Sequence, residues 1–188
     1  MTRKNNTQFI ILYKRKLKFM TATSKKKKIF HLIVYAIFFL ITMSFSKKSL
    51  SQSLPDFTIQ LTNGKLFTTK DLSHNKPVIL IYFAPDCEHC QVLMKNVLKR
   101  INEFKKSQIL LVSFESLQDV SKFEKDYGLK SYPNIKTGIE KPVFFFRYYY
   151  HLENTPFTAL YDKNGKYIIS YKKQTPVDDL IKHLNQLK

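Results

Sequence analysis

The stretch "YFAPDCEHCQVLMKNVL", residues 82–98, holds the only two cysteines of the 188-residue chain, Cys87 and Cys90. Immediately before it, "PVILIYF" (residues 77–83) is a nearly unbroken β-branched and aromatic run, the composition of a strand buried on both faces. After it, Val92, Leu93, Val97, Leu98 and Ile101 recur at helical spacing. The cysteines therefore follow a strand directly and occupy the first turn of a helix. Unpaired backbone N–H groups and the helix dipole favour an anion there, so Cys87 is expected to act as a nucleophilic thiolate. Cys90, one turn further and more buried, is placed to attack a mixed disulfide at Cys87. A bracing disulfide normally links distant segments, because closing a short loop gains little. A zinc site would need two more ligands, usually a second Cys or His pair at short spacing, which this sequence does not supply.

The flanking segments alternate strands and helices. "DFTIQLTNGKLFTT" has apolar residues on both sides of Asn63-Gly64, a strong hairpin signal. "QILLVSF" reads as a second buried strand, and "LQDVSKFEKDYGL" as a helix closed by Gly128. "KPVFFFRYYYHL" has strand propensity, yet Pro142 also suits a helix's first turn. "FTALYDKNGKYIISYKK" is a hairpin around Asn164-Gly165, and Pro176 opens a final helix with Val177, Leu180, Ile181, Leu184 and Leu187 on one face. This order makes an α/β protein.

The formal net charge of +18 is unevenly spread. Residues 1–50 carry 12 Lys+Arg and no acid, leaving 20 Lys+Arg against 14 Asp+Glu for the rest. No Arg-rich helix, zinc-finger spacing or aromatic RNA-binding motif accompanies the basicity, so no nucleic-acid partner is expected. The N-terminus instead reads as a membrane-targeting device. Lys25 to Lys28 precede the uncharged run Ile29–Phe45, shorter than the roughly 20 residues of a full transmembrane helix. Lysines before the run hold that end in the cytoplasm, so residues 52–188 are expected to be exported as one domain. Serines at 44, 46, 49 and 51 suit a signal peptidase, and cleavage near Ser51 is favoured over a retained anchor that would keep residues 1–51 in contact with the membrane. The absence of a Cys at the end of the run excludes lipid attachment there. Met20 begins a conventional signal segment by itself, so residues 1–19 read as an upstream extension or a misassigned start.

From Leu54 to Lys188 the chain resembles the thioredoxin superfamily, specifically its exported redoxin-type thiol-disulfide oxidoreductases. The resemblance rests on Pro55-Asp56-Phe57, on Tyr82-Phe83-Ala84-Pro85-Asp86 before the motif, and on Cys87-Glu88-His89-Cys90 itself. It rests also on "YHLENTPFTALYDKNGK", with Thr155-Pro156 as the family's cis-proline dipeptide. It implies a thioredoxin-like fold: a central mixed β-sheet flanked by helices, with an N-terminal β-hairpin extension. It also implies a short helix over Val143 to Tyr150, catalytic Cys87 and Cys90, and Phe83, Pro85, Glu88, His89, Thr155 and Pro156 as supporting residues. No cofactor is implied beyond the disulfide. Implied partners are exported proteins with cysteines or disulfides and a membrane thiol-redox partner.

The departures from the family bear on mechanism. Phe83 replaces the usual Trp, keeping an apolar wall without the indole. Ile81 stands where thioredoxins carry a buried Asp, and Leu93 where cytochrome-maturation reductases carry a Glu. Those acids help deprotonate the second cysteine, so activation of Cys90 must be weaker or come from elsewhere. His89 matches a His that stabilises the reduced thiolate in the oxidising periplasmic relatives, and Glu88 opposes it. Peroxiredoxins share the opening Pro-Asp-Phe but carry a peroxide-binding Thr where this chain has Ala84. Copper chaperones of the same fold use two cysteines and a distant His, for which His151 is the candidate. They space their cysteines three residues apart, whereas this pair is two apart.

Overall fold

The computed structural model describes residues 53–187, within the second of the two units into which the chain divides, Met1–Leu50 and Ser51–Lys188. The basic apolar segment, the expected cleavage near Ser51 and the alternative start at Met20 lie outside the described residues. Among the described residues no helix is long and apolar enough to cross a membrane.

Seven strands form one sheet: β1 (Thr58–Leu61), β2 (Leu66–Thr68), β3 (Val78–Phe83), β4 (Gln108–Ser113), β5 (Ile135–Lys141), β6 (Phe157–Tyr161) and β7 (Tyr167–Lys172). Their order is β2-β1-β5-β4-β3-β6-β7. The central trio β5, β4 and β3 is parallel and every other pairing is antiparallel. Helices α1 (Glu88–Lys99), α2 (Leu117–Asp126), α3 (Phe145–Tyr150) and α4 (Val177–Asn185) join them, with short 3-10 turns at Thr69–Asp71, Ile101–Phe104 and Leu129–Ser131. This is the thioredoxin-like architecture expected from the sequence, hairpin extension included.

Every residue of β3 and β4 is buried, as their composition predicts. Alternate side chains feed two cores. Ile79, Ile81 and Phe83 pack with Leu93, Met94 and Val97 of α1, Val120 and Phe123 of α2, and Leu180, Ile181 and Leu184 of α4. Val78, Leu80 and Tyr82 pack on the other face with Phe57, Phe67, Phe146 and Tyr150. The buried stripe of α1 is Cys90, Leu93, Met94 and Val97. Val92, assigned to that stripe by spacing alone, is 49% exposed, because Cys90 itself serves as the first apolar anchor.

The expected turn at Asn63-Gly64 forms, with Gly64 at φ 83° and its N–H donating to Leu61 O at 2.8 Å. The hairpin adds to the sheet through β1, which runs antiparallel to β5 from Thr58↔Lys141 to Leu61↔Gly138. The two backbones come so close at Gly138 that a Cβ there would sit 2.4 Å from Gln60 O, which only glycine permits.

The aromatic run does form a helix, but it starts at Phe145, later than Val143. Pro142 follows β5 through a cis peptide bond and is not in the first helical turn. The start is set by Glu140, which is 1% exposed. Its carboxylate accepts from the N–H groups of Phe144 (2.8 Å) and Phe146 (2.7 Å) and from the Tyr82 hydroxyl (2.8 Å).

Candidate active site

Cys87 is the N-cap residue of α1, and Cys90 N–H donates to its Sγ at 3.4 Å. Two bonds fix the loop that delivers it. Cys87 N–H donates to Ala84 O at 3.2 Å, and the Gln91 side-chain amide donates to Pro85 O at 3.0 Å. The sulfur thus faces a backbone donor at a helix start, where the first N–H groups lack intrahelical partners. Both cysteines stand as free thiols, Cys87 half-buried and Cys90 buried.

Opposite Cys87 stands Thr155, whose carbonyl accepts from the Cys87 thiol at 3.6 Å across 68 positions of sequence. The Thr155-Pro156 peptide bond is cis, as the resemblance implied. The segment is held in place from behind: Lys173 N–H donates to Pro156 O at 2.9 Å, and the hydroxyls of Thr158 and Thr175 meet at 2.7 Å. These ties were invisible in sequence, because they depend on the turn after β7 coming back beside the β6 entry.

Cys90 lies 3% exposed in the core that also contains Ile81, Phe83 and Leu93. Burial, reinforced by the neighbouring Cys87 thiol, pushes the Cys90 thiol up to about 12. The two apolar replacements noted in sequence, Ile81 and Leu93, are both buried here, so neither position supplies a carboxylate to Cys90. Phe83 is 1% exposed and packs against Phe123 at 4.8 Å between centroids. Its wall is therefore internal, a floor under the motif and not a face offered to a partner.

Glu88 and His89 are exposed on the first turn of α1, and Pro85 is half-buried in the approach loop. His89 lines a groove with Val92 and Asn96 on one side and Lys173 to Pro176 on the other. Ala84, at the position of the peroxide-binding Thr, is buried. His151 caps α3 in a left-handed conformation at φ 51°. Among the described residues, no three His, Cys, Asp or Glu side chains gather as a metal-holding group, so His151 is not brought together with the cysteines in one.

The chain matches the AhpC/TSA family over residues 50–181. It belongs to that family. As a family member it is a thioredoxin-like redoxin with a C-x-x-C pair, Cys87–Cys90. Among curated proteins it is similar to "Probable protein disulfide-isomerase A6" of Medicago sativa, 30% identical over 67 residues. That match covers 36% of this chain but only 18% of the relative. Among solved structures it is similar to MTB DsbF, with a TM-score of 0.58 and 19% identity over 70% of this chain and 95% of that one. It is also similar to the exposed lipoprotein thioredoxin Etrx1 of Streptococcus pneumoniae TIGR4, with a TM-score of 0.55 and 21% identity over 71% and 100%. A SCO1/SenC family lipoprotein of Bacillus anthracis Ames gives a TM-score of 0.60 and 20% identity over 75% and 98%. At these identities the likeness speaks for the fold.

Proposed function

We propose that this redoxin is a thiol-disulfide oxidoreductase of a bacterial envelope, exchanging its Cys87–Cys90 disulfide with cysteines of exported client proteins. The observation that carries the proposal is the asymmetry of the pair: a half-exposed sulfur at a helix start, with a buried, protonated thiol one turn behind it. In the reductive direction the Cys87 thiolate attacks a client disulfide, a Cys87–client bond forms, and the client's other sulfur departs as a thiolate and takes up a proton. Cys90 then gives up its proton, attacks the Cys87 sulfur and expels the second client sulfur. Two electrons pass from the pair to the client, and a membrane thiol carrier restores them. The oxidative direction is the reverse, with two electrons passing from a client dithiol to the Cys87–Cys90 disulfide.

The envelope assignment rests on the lysines and apolar run ahead of Ser51. Expressed in a Gram-negative host, the mature form should begin near Gln52; a soluble cytoplasmic species retaining Met1 or Met20 would overturn it.

The exchange itself is tested with Cys90→Ser. Without the resolving thiol, clients should remain trapped on Cys87 and appear on a non-reducing gel of envelope extract as reducible adducts that vanish in Cys87→Ser. Absence of adducts, together with stoichiometric Cu(I) bound by the native chain, would move the protein to the metallochaperones; rapid turnover of peroxide despite Ala84 would make it a peroxidase. Direction is read from the reduction potential: near about −270 mV for a reductase, near about −120 mV for an oxidase.

A further inference from the structure

Next to the motif a cleft of about 420 Å³ separates the approach loop from α2. One wall includes Asp86, the residue immediately before Cys87, and the facing wall carries Glu115, Phe123 and Tyr127. Whatever enters it therefore sits one or two residues from the sulfur that Cys87 attacks. The Phe123 and Tyr127 rings stack at 4.4 Å between centroids and 25° between planes, and Phe83 supports Phe123 from beneath. Aromatic surface of this kind accommodates an alkyl stem and attracts a cation at its tip.

Carboxylates outnumber cations in the cleft. Its cation, Lys122, is engaged by Asp126 at 3.2 Å. That leaves Asp86, Glu115 and Asp119, of which Asp119 accepts from the Ser116 hydroxyl at 2.6 Å. Among the described residues the carboxylates of Asp86 and Glu115 have no hydrogen-bond or ion-pair partner. This negative spot runs against the overall charge, since even beyond residue 50 the chain has more Lys+Arg than Asp+Glu.

We propose that the cleft seats a lysine or arginine side chain of the client, so that the protein selects disulfides flanked by basic residues. The inference rests on the exchange reaction above and adds a substrate class to it. The stem of the basic side chain lies along Tyr127, which the buried Phe123 ring backs from the core, and its charged end lies between Asp86 and Glu115. Because the carboxylates are at the rim, the preference acts chiefly on association and weakens with salt.

The test uses the full reduced chain in detergent and three peptides, each containing one disulfide flanked by Lys, Gln or Glu. Hydroxyethyl disulfide serves as an uncharged oxidant too small to reach the cleft. At roughly 0.02 M salt the Lys peptide should oxidise the pair about tenfold faster than the Gln peptide, with the Glu peptide slowest, and the gap should close near 0.5 M. Glu115→Gln should shrink the preference and Glu115→Lys should reverse it, with the hydroxyethyl disulfide rate unchanged in both. The chain's net positive charge would push the order the other way, so a Lys preference cannot arise from it. Equal peptide rates at low salt, or a preference that survives Glu115→Lys, would overturn the inference while leaving exchange intact. If no disulfide oxidises the pair, the exchange reaction fails and the selectivity falls with it.

Discussion

Tyr82 and Glu140 are 58 positions apart in sequence, and the Tyr82 hydroxyl donates to the Glu140 carboxylate at 2.8 Å inside the second core. The bond joins β3, five residues ahead of Cys87, to the end of β5, where the same carboxylate starts α3. Both jaws of the site, the motif loop and the Thr155 segment beyond α3, leave from this clamp. Glu140→Leu strands three donors, each costing about 1 to 3 kcal/mol when buried without a partner. A loss of roughly 3 kcal/mol or more in urea unfolding is expected, with Tyr82→Phe costing far less. Equal, small losses would mean that water replaces the carboxylate.

The burial of Cys90 has a pH signature. In Cys87→Ser, alkylation of Cys90 by iodoacetamide should keep rising through the ordinary thiol range and show no plateau at about pH 8 to 9, since burial, the largest cause, still pushes its thiol up. The linked stability has a definite sign. With the folded value raised, the contribution of the protonated thiol is complete below the ordinary thiol range near about 8.5 and is lost as pH climbs toward about 12. Denaturation midpoints of native chain and Cys90→Ala should therefore converge above about pH 9. A plateau in alkylation near pH 8 would contradict the buried environment.

Gly138→Ala places a methyl group against the Gln60 carbonyl, where both neighbours are backbone and cannot turn aside. The β1–β5 pairing must shift, at a cost of about 1 to 3 kcal/mol. Thermal unfolding would register it, and amide exchange in β1 should rise well before that in β3. An unchanged melting temperature would mean that the hairpin docks with slack.

His89→Ala tests the motif's middle positions. If His89 stabilises the reduced thiolate as in the oxidising relatives, its loss should make the Cys87–Cys90 disulfide harder to reduce, lowering the potential measured against glutathione. No change would return His89 to the role of an exposed residue lining the groove beside Lys173.

The line from β3 through the cysteines into α1 could be read before any coordinates, because it depends on local chemistry: a run buried on both faces, then a polar turn, then an amphipathic stripe. The hairpin turns at Asn63-Gly64 and Asn164-Gly165 were legible for the same reason. Long-range pairings were not. Glu140, a charge near the end of a strand, carries no local mark of burial, and its role emerges only when Tyr82 and the start of α3 converge on it. The aromatic run was ambiguous between strand and helix until the resemblance to a known family resolved it, and its true starting residue depends on that same carboxylate. Val92 was placed on the wrong face of α1 because a cysteine was not counted among the apolar residues that set the stripe. The cleft beside Cys87 needs two segments to meet, the approach loop and α2, some thirty residues apart in the chain.

The unbroken burial of β3 and β4 also sets how the domain opens to solvent. Amide hydrogens in residues 78–83 and 108–113 have no local route to solvent and should exchange only when the whole domain opens, whereas β7, half-exposed along the sheet edge, can fray by itself. The reactive sulfur is thus mounted at the tip of the slowest-exchanging part of the molecule while remaining within reach of a partner. Cys90, by contrast, belongs to the core itself, so of the two sulfurs only Cys87 meets solvent without the core opening.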